Sequence, residues 1–118
     1  MKINAEKPVV KEWLATLSAA AKGERYQKLW KRIYRLVEVP ARKRRSINIS
    51  KLEITTKEGE NVIVPGKVLS NGKISHRINI AAMEFSDSAL KSLKDANCNV
   101  VSIKDMVSDK SRSVRVIV

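Results

Sequence analysis

Residues 62–69 read Val62-Ile-Val-Pro-Gly-Lys-Val-Leu69, and residues 78–85 read Ile78-Asn-Ile-Ala-Ala-Met-Glu-Phe85. The first is rich in β-branched residues and is interrupted by Pro65-Gly66, a dipeptide that marks a tight turn between two short strands. The second is a mostly apolar run, the pattern of a strand buried on both faces. Between them Ser70-Asn-Gly72 predicts another turn, and Lys73–Arg77 continues the β-rich pattern. Upstream, Lys57-Glu-Gly-Glu-Asn61 is a polar turn. Downstream, Ser86 or Asp87 can cap a helix through Asn97, with Ala89, Leu90 and Leu93 facing inward. Val100 and Val101 predict a short strand, Ile103–Val107 a helical turn, and Ser113–Val118 a last strand. Short strands alternating with short helices predict a mixed α/β domain.

The first third is built differently. Four of the five aromatic residues, Trp13, Tyr26, Trp30 and Tyr34, lie before residue 35, and Phe85 is the fifth. From Pro8, which suits a first helical turn, Val10, Trp13, Leu14, Leu17 and Ala21 recur at helical spacing until Gly23. A second helix is predicted over 24–38. Its apolar stripe is Tyr26, Leu29, Trp30, Ile33 and Val37, and Arg25, Lys28, Lys31, Arg32 and Arg35 fall on the opposite side. A solvated helix normally mixes its signs, yet no carboxylate separates Arg25 from Arg35, so this face suits phosphates. Pro40 ends the helix, and Ala41-Arg-Lys-Arg-Arg45 follows as a basic connector. Past it, Asn48 or Ser50 can cap a short helix through Lys51 and Leu52.

The chain has 118 residues, enough for one domain with a basic helical part at 1–45 and a mixed α/β core at 46–118. Lys and Arg total 24 against 12 Asp and Glu, a net +12. Residues 22–45 hold ten cations and two carboxylates, so +8 of that excess sits in a fifth of the chain. Such charge repels itself and attracts a polyanion. Catalysis finds no support: the single His76 and single Cys98 cannot make a zinc site, and no carboxylate pair is placed for acid–base work. His76 reads as a surface or strand-edge residue and Cys98 as a small structural one. A phosphate loop ending at Gly66-Lys67 would need glycine at 61 and Ser or Thr at 68, where Asn61 and Val68 stand. The expectation is no cofactor, no metal and no small-molecule substrate. One cysteine and no apolar run near ~20 residues predict a soluble cytoplasmic protein without a membrane partner. The aromatics suit core packing better than base stacking, which leaves sequence-blind contact of Lys and Arg with phosphates.

Four segments then resemble one family. They are Arg45-Ser-Ile-Asn-Ile-Ser-Lys-Leu52, Val62-Ile-Val-Pro-Gly-Lys-Val-Leu69 with the following Gly72, Ile80-Ala-Ala-Met-Glu-Phe-Ser86, and Val114-Arg-Val-Ile117. In this order they are similar to the archaeal and eukaryotic large-subunit ribosomal protein eighteen-e, a relative of bacterial large-subunit protein fifteen. The resemblance implies an irregular stack of strand–strand–helix units, here with two basic amphipathic helices at the N-terminus, and an archaeal source. It implies a non-catalytic constituent of the large ribosomal subunit. Its partners would be large-subunit rRNA and neighbouring ribosomal proteins, with no homo-oligomer. Lys67, Arg45 and Lys51 lie in the family-like strings and are candidate RNA contacts. Lys28, Lys31, Arg32, Arg35, Arg42, Lys43, Arg44, Lys73 and Arg77 are candidates by charge and position. The alternative is a free-standing RNA-binding or ribosome-assembly factor.

Overall fold

The computed structural model describes residues 8–23, 27–39, 46–108 and 114–118. The apolar run at 78–85 becomes the strand β3 (Asn79–Phe85), and 62–69 lies within β2 (Asn61–Leu69). These two are the centre of a five-stranded sheet. The others are β1 (Ser46–Asn48), β4 (Asn99–Val100) and β5 (Val114–Val116). Every pairing is parallel. On one side of β2 lies β3, and β4 lies beyond it. Both β1 and β5 pair with β2, β1 along Lys67–Leu69 and β5 along Asn61–Ile63.

Parallel connections need crossovers, and helices supply them. α1 (Pro8–Ala21), α2 (Gln27–Glu38) and α5 (Ile103–Ser108) cover one face of the sheet. α3 (Ile49–Thr55) and α4 (Asp87–Asp95) cover the other. Each central strand therefore has two apolar faces. Val62, Val64 and Ile80 point into a core with Ile49 and Leu52 of α3 and Ala89 and Leu93 of α4. Ile63, Ala81 and Met83 point the other way, against Trp13 and Leu17 of α1, Trp30, Ile33 and Val37 of α2, and Ile103 and Met106 of α5. That is why the sequence runs apolar there instead of alternating. Trp13 and Trp30 are the large anchors that seat the helical hairpin on the sheet, each no more than 5% exposed.

Three local expectations are corrected. Pro65-Gly66 is not a turn between two strands: β2 runs through it, and the pairing with β3 shifts by one residue between Val64 and Lys67. The pair forms a bulge, where a residue without an N–H does not break a ladder it has already left. Lys73–Arg77 is not a strand. The backbone N–H of Ser75 donates to Glu53 Oε1 at 2.8 Å and that of Arg77 to Glu58 Oε1 at 3.2 Å. Carboxylates of α3 and of the 57–60 turn thus occupy positions a neighbouring strand would fill. Asn48 is the N-cap residue of α3, but its side chain makes no capping bond. At α4 the expected cap holds: Ser86 Oγ accepts from the Ala89 N–H at 3.1 Å.

The turn at 70–72 has a strict requirement. Gly72 has φ of +102°, and a Cβ there would lie 2.5 Å from the Ser50 Cβ. The turn is seated on the start of α3, where the Ser50 N–H donates to the Asn71 carbonyl at 3.0 Å. At the opposite ends of the strands, Asn79 Nδ2 donates to Asn61 Oδ1 and Asn99 Nδ2 to Asn79 Oδ1, both at 2.9 Å. This asparagine row crosses β2, β3 and β4 in register.

Candidate RNA interface

The cations of α2 follow from helix geometry. At about 100° per residue, Lys28, Lys31, Arg32 and Arg35 fall within an arc of about 100°, opposite the arc of Trp30, Ile33 and Val37. The buried arc is pinned to the sheet, so the cationic arc must face solvent, and all four residues are exposed. None has an ion-pair partner among the described residues. The charge is concentrated on α2: α1 carries only Lys11 and Glu12.

The candidate residues of the core are held differently. Lys67, half-exposed at the bulge, has its Nζ 3.7 Å from Glu84 Oε2 on the register-paired position of β3. Arg77 Nε donates to Glu58 Oε2 at 3.3 Å. Lys51 Nζ donates to the backbone oxygen of Val118, which joins α3 to the segment after β5. Lys73 is exposed on the loop after Gly72. Arg42, Lys43, Arg44 and Arg45 lie outside the described residues, as does Arg25. Ser46, which follows Arg45 in sequence, pairs with Lys67.

Two groups read from the sequence as inert have defined work in the fold. His76 is half-buried, with Nε2 2.8 Å from Thr56 Oγ1 and Nδ1 3.3 Å from Glu53 Oε1. Thr56 is the buried polar residue of the core, and its hydroxyl also lies 2.6 Å from the Leu52 carbonyl oxygen. Together these contacts tie the irregular 73–78 segment to the end of α3. Hydrogen bonds from the Ser75 backbone and hydroxyl, and the neighbouring His76, hold the Glu53 carboxyl below its usual range. Cys98 is buried in the α3/α4 core, where burial pushes its thiol up and keeps it a packing residue. Among the described residues no group of His, Cys, Asp and Glu could hold a metal ion. No helix there is long and apolar enough to cross a membrane.

The sequence reading missed one residue on the helical hairpin. Tyr34 is only half-buried, and it lines a groove of about 460 Å³ between α1 and α2 together with Ala21, Lys22, Lys31 and Arg35. On the helical wheel it sits at the border of the apolar and cationic arcs, a position that periodicity does not assign to either.

The sheet, its paired helices and the cationic outer face of α2 fall within a span that matches a known family. Residues 25–101, from the start of α2 to the end of β4, match the family described as ribosomal proteins 50S-L15 and 50S-L18e together with their 60S counterpart. The chain belongs to this family. Among its relatives is the large ribosomal subunit protein eL18 of Methanoregula boonei, 35% identical over 96 residues, 80% of this chain and 79% of the relative. The eL18 protein of Methanothermobacter thermautotrophicus is 36% identical over 81 residues, 69% of this chain and 67% of the relative. That of Thermoplasma acidophilum is 32% identical over 105 residues, 89% and 84% of the two chains. All three relatives are archaeal. Members of a ribosomal protein family are structural proteins, and the chain is not an enzyme. α2 belongs to the family's matched span, while α1, α5 and β5 lie outside it.

Proposed function

We propose that the chain is a structural constituent of the large ribosomal subunit that binds and stabilises folded large-subunit rRNA through Lys and Arg contacts with phosphates. The observation that carries this reading is the α2 face: four exposed cations without an ion-pair partner among the described residues, inside the span matched by a family of ribosomal proteins. A protein that leaves such a face unneutralised gains by placing it against a polyanion. Lys28, Lys31, Arg32 and Arg35 form the rigid part of the contact. Arg42, Lys43, Arg44 and Arg45 extend it along the chain, and Lys73, exposed on its loop, adds a further contact. Lys67, Arg77 and Lys51 already have protein partners. Surface ion pairs are weak, so Lys67 and Arg77 can exchange theirs for phosphate. The contact needs no small molecule, membrane or second copy of the chain, and its place is the cytoplasmic ribosome beside other large-subunit proteins.

Recognition of this kind reads the shape of folded RNA more than its sequence, since phosphate contacts position but do not specify. With ~6–10 phosphates engaged, affinity for an rRNA fragment falls roughly 10³- to 10⁵-fold between 50 and 200 mM salt. The deciding experiment is sedimentation of large subunits through moderate salt. A constituent stays at near one copy per subunit, whereas recovery in the unbound fraction would make the chain a free-standing RNA-binding or assembly factor.

A further inference from the structure

We infer that the groove between α1 and α2 is a binding site for one unpaired nucleotide of RNA, its base stacked on Tyr34 and its flanking phosphates held by Lys22, Lys31 and Arg35. This rests on the proposed RNA-binding role and deepens it. A helix whose only task is to meet phosphates needs no cavity beside its cations. Here the groove, about 460 Å³, lies within the size range of small-ligand sites. Ala21 and Tyr34 supply an apolar and aromatic lining, and three cations from two helices surround it. Trp13 and Trp30, on the same hairpin, are buried and unavailable. Tyr34 alone among the described aromatics of the hairpin is part-exposed, and it is the one beside the cations.

The chemistry selects an extruded nucleotide over a paired one. A paired base presents only its edges, because its faces are covered by its neighbours in the stack. An unpaired base exposes a π-face, and stacking on an aromatic ring is tolerant of sequence. Ser18 and Glu38 also line the groove. Ser18 offers a hydroxyl to a sugar or base edge. The Glu38 carboxylate accepts from an exocyclic amine and disfavours phosphate at its own end. The lining keeps a net positive charge, and Lys28 and Arg32 continue the field along α2 on the same exposed face. The occupant is thereby a nucleotide inside a longer strand, with phosphate on either side of the base.

The test uses the full chain and two RNA hairpins with the same stem, one fully paired and one carrying a single-adenosine bulge. The chain binds the bulged hairpin more tightly. Tyr34→Leu reduces affinity for the bulged hairpin by about 5- to 150-fold, the range of one base–aromatic stack, and leaves the paired hairpin unchanged. Tyr34→Phe keeps the preference. A second measurement needs no variant: 4-thiouridine in place of the bulged base, irradiated in the complex, cross-links to the peptide that contains Tyr34. Equal loss on both hairpins, no loss on either, or a cross-link confined to other peptides overturns the nucleotide site and leaves the phosphate-binding face standing. Failure of the wild-type chain to bind either hairpin removes both readings together.

Discussion

On α2, Lys28, Lys31, Arg32 and Arg35 stand in solvent with no ion-pair partner among the described residues, whereas Lys67, Arg77 and Arg115 of the core each face a glutamate. The residue types are the same and the settings opposite. Arg115 Nη2 lies 3.1 Å from Glu60 Oε2, tying β5 to the start of β2, and Lys67 meets Glu84 across the register of β2 and β3. Those cations are spent inside the protein, holding segments distant in sequence beside one another. On α2 the cations serve nothing within the fold, and the tryptophan and isoleucine on the reverse of the helix do the holding. One region uses charge to complete itself, and the other keeps it for a partner.

The sharpest way to break that division is to remove the anchor. Trp30→Ala deletes a side chain buried between α2 and the sheet and should cost about 3–5 kcal/mol of stability, read from a denaturant midpoint. RNA binding should fall with it, because the cationic face loses its platform. Neutralising the face itself, as K28Q/K31Q/R32Q/R35Q, should leave the midpoint unchanged or slightly raised. It should also lower the slope of log affinity against log salt by about 3, at about 0.7–0.9 per phosphate released. The matching change in the core, K67Q/R77Q/R115Q, should move the slope by less than half of that. Equal slopes for these two variants would erase the contrast between the regions.

A smaller effect tests the core alone. Gly72→Ala forces a Cβ against Ser50 at a positive φ and should cost about 1–3 kcal/mol from strain, with the 70–72 turn displaced from α3. The smallest effect is in the acid range. Glu53 and Glu60 are both held below the ordinary carboxylate value of 4.5. For Glu60 burial opposes ionisation, but the Lys57 N–H and the Arg115 guanidinium outweigh it. The folded chain therefore binds fewer protons than the unfolded chain as pH drops past 4.5, and stability falls as these groups protonate. Well above that value their contribution is complete and flat. An E53Q/E60Q chain should show a shallower acid limb in a pH series of denaturant midpoints.

Much of this was written in the sequence where side-chain period and tertiary role coincide. The stripes of α1 and α2 and the apolar run of β3 state their own burial, and the cations of α2 state their own exposure. The failures came where a local signal has two physical outcomes. Pro-Gly is as good a bulge as a turn, and only the pairing of β3 along both halves of β2 decides between them. Residues 73–77 alternate like a strand, but their N–H groups are taken by Glu53 and Glu58, partners 19 to 22 residues away that no period reveals. Tyr34 was passed over because it lies between two arcs of a helix. What makes it part-exposed is the groove left where α1 and α2 diverge from close packing. The fold was thus easier to read than the site, since burial leaves a periodic trace and a groove between two helices leaves none.

The placement of β5 has a consequence for the time in which the chain is made. Its three residues, 114–116, pair with Asn61–Ile63, on the same side of β2 as β1 but at the other end. During synthesis at roughly 5–20 residues per second, the first half of β2 emerges several seconds before the strand that covers it. Through that interval a row of backbone donors and acceptors beside Val62 and Ile63 has only water to bond on that side. The last residues to leave the ribosome are the ones that close the sheet.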